Sequence, residues 1–160
     1  MLYVVAWPVL SEADDTALRR LRTQYHPEEA ELIGPHFTVG FGVPDEHEAA
    51  LRAALAGVTQ RPFWFVLDRI VRDDNHLFAE PADGGAELTE LYDLLNLAPW
   101  PASFRPHITL GLFARPAEAE QVARIVERQH LPMHGRVEEL ALLRRDGERL
   151  DTLAVRRLDG

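Results

Sequence analysis

The eight residues PHFTVGFG at 35–42 return as PHITLGLF at 106–113, and this repetition constrains the fold more than any other feature of the chain. Both runs reduce to Pro-His-apolar-Thr-apolar-Gly. In a β-strand successive side chains leave opposite faces. His36, Thr38 and Gly40 are therefore expected on one face, with Phe37, Val39 and Phe41 on the other. The second copy keeps the parity, setting His107, Thr109 and Gly111 against Ile108, Leu110 and Leu112. A chance second match is expected in roughly a few per ten thousand chains of this composition, so the two runs are read as equivalent strands. Each presses an apolar face on a core and turns a polar strip away from it.

The surrounding pattern repeats as well. MLYVVAWPVL reads as a first strand, and Ser11 with Asp14 predicts a helix N-terminus. Ala17, Leu18, Leu21 and Tyr25 then recur at helical spacing, up to His26-Pro27. A polar turn leads into the first motif, and DEHEAALRAALAGV follows it as an amphipathic helix. FWFVLDRIV and HLFAEP read as a hairpin turning at Asp73-Asp74-Asn75. Residues 86–97 give the next helix, and the proline-rich WPASFRP an extended loop into the second motif. A helix in RPAEAEQVARIVERQ and a hairpin turning at Asp146-Gly147 complete the chain. Helices and hairpins superpose at the offset that separates His36 from His107. The expected object is one α+β domain over residues 1–160. It has two lobes related by a pseudo-twofold axis, each an antiparallel sheet backed by helices, with a central cleft between them.

Composition narrows what such a cleft can do. The chain has 160 residues and no cysteine, which removes disulfides, thiolate metal sites and cysteine nucleophiles. All 17 basic residues are arginine, so no P-loop lysine, Schiff base or lysine-adenylate can form. A net charge of -9 opposes binding of long nucleic acid by bulk electrostatics, while leaving room for a pocket that takes one or two phosphates. The apolar opening has no basic leader and is far short of the roughly 20 residues of a membrane helix. A cytoplasmic monomer that does not engage a membrane is expected.

If the polar strips face each other across the cleft, two imidazoles and two hydroxyls converge. Imidazole titrates near neutrality, so one copy can accept a proton while the other donates. Threonine hydroxyls can donate hydrogen bonds to charge developing on an oxygen, and the motif glycine is expected to leave space for a ligand near the main chain. In-line displacement at a phosphodiester needs a base, an acid and such donors, and needs neither metal nor cofactor. Around the second motif, Arg105 is a candidate phosphate partner, and Phe104 and Trp100 are candidates for stacking on a base. Tyr3 on the first strand and His76 at the start of HLFAEP are further candidates for the cleft, against default places in the core or rim and at the surface.

The duplicated tetrads HFTV at 36–39 and HITL at 107–110 resemble those of the 2H phosphoesterase superfamily, which includes bacterial RNA 2′,3′-cyclic phosphodiesterases, also called 2′-5′ RNA ligases. The resemblance covers most of the chain through motif order and spacing. It implies a bilobal fold with a water-filled cleft and metal-independent catalysis, with His36 and His107 as the acid/base pair and Thr38 and Thr109 holding phosphoryl oxygens. The implied partner is a small nucleotide or RNA end bearing a cyclic phosphate or a 2′-5′ linkage, and hydrolysis is the expected direction. Two rival readings use the same residues: a module that binds a phosphorylated ligand or RNA end without turning it over, and a metal-dependent hydrolase.

Overall fold

The structure, a computed structural model, describes residues 1–96 and 104–159; Trp100 lies outside them. The elements run β1 (Leu2–Leu10), α1 (Glu12–Tyr25), α2 (Pro27–Leu32), β2 (Phe37–Val43), α3 (Glu48–Ala56), β3 (Phe63–Asp73), β4 (His76–Asp83), α4 (Gly85–Leu95), β5 (Ile108–Leu112), α5 (Pro116–Gln129), β6 (Met133–Asp146) and β7 (Arg149–Arg157). The Ser11 side chain accepts the Asp14 N–H at 3.1 Å, and acidic Glu12, Asp14 and Asp15 fill the first turn of α1. Pro27 ends α1 because it cannot continue the hydrogen-bond ladder. The same ring suits a first helical position, so the expected polar turn is instead the short helix α2, with Glu28 and Glu29 in its first turn.

The strands form one seven-stranded antiparallel sheet in the order β2-β1-β6-β3-β4-β5, with β7 also on β6. That order reads the same from either end once β2 is matched with β5, β1 with β4 and β6 with β3. The repeated unit is thus strand, helix, motif strand, helix, strand. The β3–β4 hairpin joins the two units rather than closing the first, which corrects the boundary drawn from sequence. Each unit lends its last strand to the other half: β3 pairs with β4, and β6 with β1. A lobe-by-lobe pair of sheets becomes continuous because Phe63–Leu67 of β3 also pairs with Met133–Val137 of β6.

The helices cross over too, α1 packing on β5 and α4 on β2. This exchange brings the outermost strands, the two that carry the motifs, to a common site. One core spans both halves: the ring of Phe37 on β2 meets that of Phe65 on β3 edge-on at 5.1 Å, and both are fully buried. Each such burial contributes about 1.5–3 kcal/mol. Leu18 of α1 and Leu88, Leu91 and Leu95 of α4 share that core.

Strand parity holds through the first four motif residues and then slips. Phe37, Val39, Ile108 and Leu110 are buried, but Phe41 and Leu112, expected beside them, are 52% and 47% exposed. The pairing shows why. Val4 faces Gly40 while Val5 faces Thr38, and Leu77 faces Gly111 while Phe78 faces Thr109, so each motif strand carries one extra residue there. This is the same β-bulge twice, and a bulge reverses the alternation beyond it. The glycines are also reassigned. A Cβ on Gly111 would lie 2.6 Å from the Cβ of Tyr25, and one on Gly40 would lie 3.1 Å from Cγ2 of Val4. They make room for core neighbours at the bulge, not for a ligand.

Candidate active site

A cleft of about 580 Å³ opens between the halves, lined among others by His36, Thr38, His107 and Thr109. The polar residues of both tetrads therefore face one space. Each histidine stands one residue before its strand and is fixed in the same way: Nδ1 of His36 lies 2.8 Å from the Gly34 carbonyl, and Nδ1 of His107 lies 2.7 Å from the Arg105 carbonyl. A carbonyl only accepts, so Nδ1 carries the proton and donates it in both rings. In the neutral tautomer this leaves the lone pair on Nε2.

Burial holds both imidazoles below their ordinary affinity for protons. For His36 desolvation dominates; the Gly34 carbonyl opposes it, Arg22 and His107 add to it, and the result is about 4. His107 is lowered chiefly by desolvation as well, partly offset by the Arg105 carbonyl and the Glu80 carboxylate. With the cleft empty at neutral pH, both rings are therefore neutral. An anion lying between them would favour protonation of one.

The walls have matched backbones and different chemistry. On the β1–β2 side, Tyr3 and Val5 line the cleft, Phe41 packs its ring edge-on to Tyr3 at 5.4 Å, and Trp7 sits edge-on to His36 at 6.2 Å. Tyr3 thus reaches the cleft, and Phe41 joins it through the bulge. On the β4–β5 side, Phe78 lies 4.1 Å from His107 and stacks in turn on His76 at 5.6 Å, so His76 stands one ring behind His107 and does not itself line the cleft. Phe104 lines the cleft with its ring stacked on Tyr92 at 4.1 Å. Arg105 also lines it, bound to the Glu80 carboxylate at 2.6 Å.

Two residues passed over in the sequence are central to the site. Arg22 is 2% exposed, and its guanidinium donates to the Thr109 carbonyl at 2.6 Å and the Ile33 carbonyl at 2.9 Å. It braces the second motif against the approach to the first, and its position on the Leu18–Tyr25 stripe of α1 was the available signal. Glu80, 3% exposed, is bound by Arg69 at 2.8 Å as well as by Arg105. Its parity with His76 and Phe78 along β4 marked it. Among the described residues, no three His, Asp or Glu side chains are grouped to hold a metal ion, and no helix is long and apolar enough to cross a membrane.

Comparison with known proteins bears on the fold and the family. No curated protein matches the chain by sequence. Among solved structures, E. coli LigT complexed with 3′-AMP superposes with a TM-score of 0.69 at 20% identity, covering 98% of this chain and 97% of that one. E. coli LigT complexed with phosphate gives 0.68 at 21% identity, covering 99% and 97%. A crystal structure described as a phosphoesterase gives 0.65 at 19%, covering 99% and 98%. These likenesses show a shared fold. The model of the 2′-5′ RNA ligase superfamily matches residues 9–149, a span that holds both histidine tetrads, and the chain belongs to that family.

Proposed function

We propose that the protein is a metal-independent phosphodiesterase that hydrolyses 2′,3′-cyclic phosphates or 2′-5′ linkages of RNA ends or small nucleotides. Membership of the family and the LigT-like fold support a phosphoesterase. The observation that carries the finer reading is the pairing of two identically fixed imidazoles, each with its threonine, on facing walls of one cleft.

In this reading the phosphodiester lies between the rings, with its non-bridging oxygens toward the hydroxyls of Thr38 and Thr109. One neutral imidazole takes the proton of an attacking water through Nε2 as oxygen bonds to phosphorus. The other, protonated in company with the phosphate anion, gives its proton to the departing ribose oxygen as the P–O bond breaks. Solvent then resets the two protonation states. Preorganised hydroxyl donors and positioned acid and base are the main sources of rate. Cleft volume suits a nucleotide. The charged side chains lining it largely neutralise one another, Arg145 lying 2.6 Å from Glu29 and Arg105 bound to Glu80. That balance favours a short end over a long strand.

The test is a screen of 2′,3′-cyclic nucleotides and 2′-5′ linked dinucleotides, with and without chelator, read by the position of the product phosphate. Turnover that survives chelator and falls by a factor of about 100 or more in His36→Ala and in His107→Ala is expected. Recovery of every ligand unaltered after long incubation, or activity unchanged in both variants, would refute the proposal.

A further inference from the structure

The strand registers allow the walls to be compared position by position. Val4 and Val5 on β1 match Leu77 and Phe78 on β4, because each pair spans the same bulge. Continuing along the strands, Trp7 matches Glu80, and Gly34, whose carbonyl accepts from His36, matches Arg105. Where one wall has a glycine and an indole, the other has an ion pair. This is the sharpest break of symmetry around the two histidines.

Glu80 is not a surface charge. Its carboxylate is 3% exposed and is held by two guanidiniums, Arg105 at 2.6 Å and Arg69 at 2.8 Å. A buried carboxylate is costly unless paired in this way. Arg105 is gripped at both ends: Glu80 holds its side chain, and its main-chain carbonyl holds Nδ1 of His107. The segment before β5 has no such anchor in its counterpart before β2, where Gly34 offers only a carbonyl to His36.

We propose that Glu80 is a positioning residue, which by clamping Arg105 fixes the carbonyl that orients His107 and makes the two walls of a pseudosymmetric cleft chemically unequal. The inference rests on the phosphoesterase reading for its consequence, but not for its geometry. At the cleft this wall carries the Glu80–Arg105 ion pair beside His107, where the other wall sets the neutral ring of Trp7 beside His36. An anionic substrate thereby meets two non-equivalent histidines and binds one way round.

The groups facing His107 come from several elements. They are Glu80 and His76 on β4, beside the ring of Phe78, Arg105 on its own segment, His36 across the cleft, and Arg22 of α1 with His26 just past its end. Glu80 raises the proton affinity of His107, and Arg105 lowers it. The test follows from those opposite signs. The ring of His107 is titrated by NMR without substrate in the wild type, in Glu80→Gln and in Arg105→Gln. Expected are a downward move of the titration midpoint in Glu80→Gln, an upward move in Arg105→Gln, and no comparable move of His36. Opposite signs read the two charges; the clamp itself is read by turnover, where kcat should fall in Arg105→Gln as in Glu80→Gln although their His107 midpoints move in opposite directions.

Should Glu80→Gln fail to fold, Arg105→Gln, whose side chain is half exposed, decides by itself. In turnover, Glu80→Gln is expected to lose about tenfold or more in kcat, as when a reacting group is misaligned, with a shifted pH profile. A His107 midpoint that stays fixed in both variants, or a kcat that Arg105→Gln leaves unchanged in an active wild type, overturns the proposal. An inert wild type would count against the phosphoesterase reading alone, since the titration needs no turnover.

Discussion

Removing the His36 imidazole should make the protein less sensitive to acid. In the native protein this ring protonates at about 4, against an ordinary value of 6.5 for the unfolded chain. The unfolded state therefore binds more protons wherever the pH lies between the two, and stability rises with pH across that window. The sign for a depressed histidine is then fixed: stability is fully present above the unfolded value and is lost as pH falls through 6.5 toward 4. The total at stake is about 3 kcal/mol, of which about 2 kcal/mol is lost between pH 7.5 and pH 5. Urea unfolding of the wild type and of His36→Gln at both pH values isolates the ring, since carboxylates and His107 contribute equally to both proteins. The variant should lose about 2 kcal/mol less than the wild type over that interval. Equal losses, or an NMR midpoint for His36 near 6.5, would refute the claim that burial holds this ring neutral.

The same depression shapes turnover: kcat/KM, which reports the free enzyme, should follow a bell centred below 6.5, because both histidines start below their ordinary value. A profile centred above 7 would contradict this. Gly111→Ala should destabilise by about 1–3 kcal/mol, since its Cβ would meet the Cβ of Tyr25 at 2.6 Å. Gly40→Ala should cost less, since Val4 stands at 3.1 Å, and thermal melts of the two variants rank them. Replacing Arg22 by methionine should cost about 2–4 kcal/mol, because two buried carbonyls lose charged donors, and the reversed order of cost between this change and Gly40→Ala would argue against a bracing role.

The reach of sequence reasoning in this chain ends where interactions cease to be local. Strand parity is a property of the backbone, so HFTV and HITL sufficed to put both histidines and both threonines on polar faces, and the duplication sufficed to bring them to one cleft. The bulge at Gly40 and Gly111 was hidden because it depends on the register with β1 and β4, and it carried Phe41 and Leu112 to the opposite side from the one expected. Crossover of the last strand of each unit was hidden for a similar reason. A hairpin as strong as β3–β4 reads as the end of a unit, whereas pairing of β3 with β6 makes it the seam between units. Charge partners were the least accessible. Glu80 is an isolated charge in an apolar run and Arg22 is one of three arginines close together on α1, and what makes each tolerable when buried is a carbonyl or guanidinium far along the chain. Such residues are expensive to bury unless paired, so their presence on a core-facing helix stripe or beside a motif strand is itself information. In a fold built by duplication, the positions where one copy places a charge and the other a neutral side chain are where a symmetric scaffold becomes a directional site, and here those positions are Arg105 and Glu80 against Gly34 and Trp7.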